Sequence, residues 1–208
     1  MKLTSVNIGK KDIVNGEATG IYKLPVDGPV RVGSLGLEGD FIASEKHHGG
    51  PDQAVYLYGG TDYDWWAEEL GSSLDPGTFG ENLTVAGLES ARCAIGDRLT
   101  VGEVTLEVTA PRIPCGTFAA RMGDPGFVKR FRDAGRPGVY CRVLQEGTVR
   151  AGDEVHVEPY AGERTTLLEL YRDHYEKTAD EATLKRFLRA PVASRLREFL
   201  EERLEKHG

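Results

Sequence analysis

Cys115 stands in the run Ala110-Pro111-Arg112-Ile113-Pro114-Cys115-Gly116-Thr117, where two prolines bracket an arginine. A proline fixes its own φ and disfavours helix in the residue before it, so this segment is held extended up to the thiol. The residues from Thr117 to Met122 read as a short helix stopped by Gly123, which sets Cys115 about where that helix begins. Unpaired N–H groups at a helix start favour a thiolate, and Arg112 supplies a fixed cation close by in sequence. A thiol equipped in this way serves as a nucleophile or as a soft metal ligand, and the residues alone leave both open.

Two polar loops carry the other candidates. In Glu45-Lys46-His47-His48-Gly49-Gly50-Pro51-Asp52, glycines expose backbone N–H groups beside a lysine and two histidines, a composition suited to an anion or a polar heterocycle, or to a solvated surface turn. In Thr78-Phe79-Gly80-Glu81-Asn82-Leu83, Asn82 offers a donor and an acceptor to the edge of a ligand ring; its alternative role is to stabilise a turn beside a carboxylate that caps local N–H groups. The remaining thiols are less promising. Cys93 falls in a polar connector, and Cys141 shares a strand face with Val139 and Val143, as a packed core thiol would.

The elements that must position these residues are mostly short strands. Leu3–Ile8 and Gly20–Leu24 are β-type runs separated by Asn15-Gly16 and followed by Asp27-Gly28-Pro29, as in a meander feeding a barrel or sandwich. Ala54–Tyr58 is an apolar strand, and Thr61 is placed to cap a helix with Tyr63, Trp66 and Leu70 on one face and Gly71 at its end. The alternation of Leu99, Val101, Val104, Leu106 and Val108 with polar residues around Gly102 predicts a hairpin that leads into the Cys115 segment. Asp124-Pro125 should start a helix carrying Phe127 and Phe131. A second hairpin is expected from Val139–Leu144, through Glu146-Gly147, to Val155–Val157. Beyond Pro159 the composition turns to Leu, Glu, Arg and Lys at helical spacing, predicting three short amphipathic helices capped by Thr165 or Thr166, by Asp180 and by Pro191. The fold class expected is mainly β, of the α+β kind: a domain over residues 1–160 and a small three-helix bundle over residues 161–208.

Composition narrows the function. Lys+Arg 26 against Asp+Glu 33 gives a net charge of -7, which argues against a nucleic-acid partner. No apolar run reaches membrane-spanning length, and the first residues are polar where a signal peptide needs an apolar block, so a cytoplasmic protein without a membrane partner is expected. The 3 cysteines form no CxxC pair, so neither a disulfide framework nor a zinc or iron–sulfur site is suggested.

Taken together, Gly36-Leu37-Glu38-Gly39-Asp40, His48-Gly49-Gly50-Pro51-Asp52, Phe79-Gly80-Glu81-Asn82-Leu83, Ile95-Gly96-Asp97, Pro111-Arg112-Ile113-Pro114-Cys115 and Gly147-Thr148-Val149-Arg150-Ala151-Gly152-Asp153 resemble, in order and spacing, the MOSC domain family, and within it the YiiM-like branch with its terminal three-helix segment. The first C-terminal helix lacks an asparagine that this branch carries. The resemblance implies a MOSC-type β-barrel core with peripheral helices. It also implies a molybdenum cofactor (molybdenum bound to molybdopterin) held by one protein cysteine, which by position is Cys115. Arg112, Lys46, His47, Asn82, Glu81 and Phe79 are then the cofactor-binding candidates, and His48 joins Cys115 as a catalytic candidate, a proton donor. The activity implied is reduction of N-hydroxylated compounds such as 6-hydroxylaminopurine-type bases. Electrons would come from a separate flavoprotein or iron–sulfur protein. Pyridoxal phosphate is not expected, and a monomer or homodimer is. Two other readings of the same thiol stay open: a sulfur carrier or transferase using a persulfide, and a non-enzymatic carrier of the molybdenum cofactor.

Overall fold

The computed structural model describes residues 1–43 and 49–206. In chain order the elements are β1 (Lys2–Gly9), β2 (Asp12–Val14), β3 (Glu17–Thr19), β4 (Lys23–Pro25), β5 (Val30–Gly33), β6 (Gly36–Leu37), β7 (Val55–Gly59), α1 (Gly60–Leu70) and β8 (Leu83–Ala86). There follow β9 (Arg98–Val101), β10 (Val104–Ala110), α2 (Gly116–Met122), α3 (Phe127–Ala134), β11 (Val139–Gln145), β12 (Gly147–Val149) and β13 (Val155–Glu158). The chain ends in α4 (Leu167–Glu176), α5 (Glu181–Arg189) and α6 (Ser194–Glu205). Helix and strand take nearly equal shares, 31% and 30%, so the α+β class holds with less weight on β than the sequence suggests.

Eight strands form one sheet in the order β13-β9-β10-β11-β7-β8-β1-β4. Its ends meet. Lys2 bridges Glu154, the Leu3 N–H donates to Asp153 O (2.9 Å) and the Val155 N–H to Met1 O (2.9 Å), which closes the sheet into a barrel. Register shifts in β1 and at two places in β10 supply the local bends that closure needs. The β9–β10 hairpin forms as its alternation requires, with Leu99, Val101, Val104, Leu106 and Val108 all buried. The second expected hairpin does not form. β10 already occupies the edge of β11, so after Glu146 the chain leaves it: β12 pairs with β5, and β13 adds to β9 on the far side of the hairpin.

All sheet pairs are antiparallel except β7 with β8, a parallel pair that needs a long crossover. That crossover is α1 and the loop after it, and its return leg carries Phe79-Gly80-Glu81-Asn82 to the base of the barrel mouth. α1 begins at Gly60, not after a Thr61 cap, and ends as expected on Gly71 at φ 67. α3 starts at Phe127 with Gly126 as N-cap. Asp124 still contributes, its Oδ1 accepting from the Gly126 N–H at 2.8 Å.

Two apolar clusters result. One fills the barrel and continues without a break into the terminal helices through Leu167, Leu170, Leu184, Phe187 and Leu200. The other is aromatic and lies under α1, α2 and α3: Tyr58, Trp66, Phe79, Phe118, Phe127 and Phe131. Trp66 stacks on Phe131 (7° between planes) and donates from Nε1 to the Tyr58 hydroxyl at 2.8 Å. The terminal helices are held by more than apolar contact. Arg142 of β11 pairs with Glu107 (3.3 Å) and Asp52 (3.0 Å), and the Asp52 carboxylate accepts from both the N–H and the Oγ of Ser194 at the start of α6. α4 is capped by the Thr166–Glu169 capping box and α5 by Asp180, both as expected. α6 begins at Ser194, after Pro191 instead of on it.

Candidate functional site

Cys115 is the N-cap residue of α2, at the end of the extended Pro111–Pro114 segment. It is partly exposed in the wall of a cavity of ≈ 490 Å³. Arg112 reaches the same cavity from a buried position. Its guanidinium donates to the Phe79 carbonyl and lies 4.5 Å from the Phe118 ring centre and 5.1 Å from that of Tyr56. Burial works against its charge, but Tyr56, Tyr140 and Cys115 around it more than compensate, and the net effect holds Arg112 protonated. The phenols of Tyr56 and Tyr140 are pushed up from their ordinary value, chiefly by burial.

A second cation in this wall, Lys23, was not singled out by sequence. It is almost fully buried, and its ammonium meets both carboxylate oxygens of Asp40 at 2.5 Å. Burial draws the Lys23 pKa below the usual lysine value, and Asp40 opposes that shift. Asp40 also accepts from the Gly9 N–H (2.7 Å) and from Asn82 Nδ2 (2.8 Å). The only trace of this pair in the sequence is Asp40 itself, the last residue of the Gly36–Asp40 motif; its partner sits 17 residues earlier in an unremarkable strand.

Asn82 borders the cavity, but its amide is already engaged. Nδ2 holds Asp40, Oδ1 accepts from the Tyr56 N–H at 3.2 Å, and the backbone N–H bonds Tyr56 O at 2.7 Å. These contacts fix Asp40 and Tyr56 in the cavity wall. Glu81 and Phe79 also differ from expectation, because both side chains point into the core. Glu81 Oε1 accepts from Tyr63 (2.6 Å), Thr84 (2.7 Å) and the Gly77 N–H (2.7 Å), the capping role that was its alternative, and burial pushes its pKa up. Phe79 contributes its carbonyl to Arg112 and its ring to the aromatic cluster. Between them Gly80 turns at φ 73, where a side chain would press on Ile21 at 3.1 Å and approach Arg112. The remaining candidates, Lys46, His47 and His48, lie outside the described residues.

Over the cavity mouth stands the β2–β3 hairpin, which pairs only with itself and contributes Glu17, Ala18 and Thr19 to the wall. At its root three main-chain segments touch. The Phe41 N–H donates to Gly9 O at 2.9 Å, a Cβ on Gly9 would collide with the Gly20 carbonyl, and one on Gly20 with the Phe41 carbonyl. The other cysteines play no part: burial and Asp97 push the Cys93 thiol up to about 12, and Cys141 is sealed in the barrel with its pKa raised well above the ordinary value.

Comparison with known proteins agrees with this arrangement. The MOSC domain model matches residues 44–156, a stretch that includes β7 to β12 and ends within β13. Protein YflK of Bacillus subtilis is 39% identical over 152 residues, covering 71% of this chain and 69% of YflK. A protein named reductase, from Gibberella moniliformis, is also 39% identical, over 73% of this chain but only 28% of its own length. The crystal structure of YiiM from Geobacillus stearothermophilus superposes with a TM-score of 0.82 at 28% identity, over 98% of each chain. Fold, family match and the motifs around Cys115 converge: the chain belongs to the MOSC domain family.

Proposed function

We propose that this protein is a molybdenum-cofactor-dependent reductase of N-hydroxylated compounds, such as 6-hydroxylaminopurine-type bases, supplied with electrons by a separate flavoprotein or iron–sulfur protein. The observation that carries the reading is one thiol, Cys115, set in a cavity of ≈ 490 Å³ whose wall also holds the buried cations Arg112 and Lys23. A phosphate-bearing, sulfur-ligated metal group fits this donor set: a soft thiolate for the metal and two positive groups for the anionic tail. The family and the relative named reductase support the same direction.

When bound, the cofactor supplies two-electron chemistry that removes oxygen from nitrogen. The protein's own contribution is positional. The proline-stiffened segment fixes Cys115 as ligand, with Arg112 beside it to offset negative charge. Arg112 is aimed by the Phe79 carbonyl and by the rings of Tyr56 and Phe118, and Lys23 by Asp40 and, through it, Asn82. Gly80 leaves room for the guanidinium at the cavity floor. The buried Tyr140 and Tyr56 phenols stay protonated and line the cavity as neutral groups. His48 is our candidate for delivering the proton that N–O cleavage consumes.

The test is Cys115→Ser, purified beside wild type from cells able to make the cofactor. Elemental analysis should find molybdenum only in wild type, and hydroxylaminopurine reduction, coupled to a flavoprotein donor, should vanish in the variant. Unchanged molybdenum content and turnover in Cys115→Ser would overturn the reading, and a persulfide trapped on Cys115 of active, metal-free protein would replace it with sulfur transfer.

A further inference from the structure

A second cavity, of ≈ 480 Å³, opens on the other side of the segment that carries Cys115. Because that segment is extended, its side chains alternate: Arg112 faces the first cavity, Pro111 and Ile113 the second. Gln53 and Tyr140 belong to both walls and form the partition. The far wall comes from the terminal helices. On α6, Arg195, Glu198, Phe199 and Glu202 fall on one face by their helical spacing, and α4 adds His174.

Two carboxylates, Glu198 and Glu202, face this cavity beside one cation, Arg195. Arg197 and Glu201 pair with each other on the adjoining face (3.9 Å), yet among the described residues no cation pairs with Glu198 or Glu202, which both line the cavity. His174 is drawn below the ordinary histidine value by burial first and by Lys177 next, so near neutral pH its imidazole offers an acceptor nitrogen. The His174 and Phe199 rings stand 5.6 Å apart with planes at 42°, and Tyr140 adds a third aromatic surface. Among the described residues no three His, Cys, Asp or Glu side chains come together to hold a metal ion. A cavity of this volume suits a bicyclic ring.

We infer that this second cavity binds a small, planar, N–H-rich ligand, an amino-heterocycle or an amidine, with its ring against Phe199 and Tyr140 and its N–H groups donating to Glu198 and Glu202. This deepens the proposed function and rests on it for the ligand's meaning: amino-heterocycles and amidines are the reduced counterparts of the N-hydroxylated substrates. Binding itself requires neither metal nor turnover.

The experiment is a titration of full-length protein with 2-aminopurine, whose fluorescence is quenched on stacking. Wild type should saturate, and the double variant E198Q/E202Q, altered only at exposed positions, should bind weaker by about tenfold or more. E17Q, in the wall of the first cavity, should bind as wild type does. Absence of saturable binding, equal affinity in E198Q/E202Q, or a loss confined to E17Q would each overturn the inference. Since the signal is read on metal-free protein, it remains readable whether or not molybdenum and reductase activity are found.

Discussion

Lys23→Met and Asp40→Asn break the same buried ion pair from opposite ends, and the structure makes them unequal. Removing one partner of a buried pair costs about 3–5 kcal/mol, because the other charge is left uncompensated. In Asp40→Asn that cost is met in full. Asp40 is the only acceptor for the Lys23 ammonium among the described residues, and the lysine side chain is only 9% exposed. In Lys23→Met the carboxylate keeps the Gly9 N–H at 2.7 Å and Asn82 Nδ2 at 2.8 Å. Hydrogen bonds to a charged group are worth about 1.5–3 kcal/mol each, so the two together offset most of that cost and leave a net loss of about 0–2 kcal/mol. With a urea slope of about 3 kcal/mol/M, the midpoints drop by about 1–1.7 M for Asp40→Asn and by less than about 0.7 M for Lys23→Met. Under the proposed function, molybdenum content should fall in Lys23→Met, which removes the positive group offered to the anionic tail, and in Asp40→Asn, where the buried ammonium loses the carboxylate that holds and aims it. A Lys23→Met protein destabilised as much as Asp40→Asn would refute the asymmetry, and one that retained its metal in full would remove Lys23 from the cavity's function.

Two further expectations concern the frame. Asp52 is held below the usual carboxylate range: burial alone would raise it, but the Ser194 hydrogen bonds and Arg142 outweigh that effect. Its contribution is therefore present above the unfolded carboxylate value of about 3.9 and is lost as pH falls through the lower folded value. Thermal unfolding of wild type should steepen with falling pH in that window, and Asp52→Asn should flatten the profile; parallel profiles would remove the carboxylate from the docking of α6. Trp66 is fully buried among stacked rings, so Trp66→Ala should cost about 3–5 kcal/mol and Trp66→Phe clearly less, as measured by denaturant midpoints. Equal losses would mean that ring packing is not what the aromatic cluster supplies.

The barrel was readable wherever one strand face is apolar and the other polar, as in Leu99–Val108, and the helix ends wherever a side chain does the capping, as at Thr166 and Asp180. What could not be read was pairing between distant strands. The alternation in β11 and β13 is correct, yet nothing local says that β10 already fills the place between them. The site divides in the same way. Cys115 and Arg112 were legible because their stiff segment is continuous in sequence. Lys23 was not, because its meaning comes from Asp40, which only the fold brings beside it. Asn82 and Glu81 are legible as an amide and a carboxylate beside a glycine, but sequence does not show that their hydrogen-bonding groups are satisfied by the protein itself.

The three touching backbones at Gly9, Gly20 and Phe41 carry a consequence for how this protein tolerates change. In a scan of all single substitutions, Gly9 and Gly20 should reject every replacement as strictly as Cys115 does, since even alanine places an atom inside a neighbouring carbonyl. Neither residue has a side chain with which to do chemistry. A map of intolerance over this molecule would therefore show two kinds of fixed position, one chemical and one purely spatial. Under the proposed function, molybdenum content would separate them only among variants that still fold, because a displaced hairpin root loses the cavity mouth and the folded protein together.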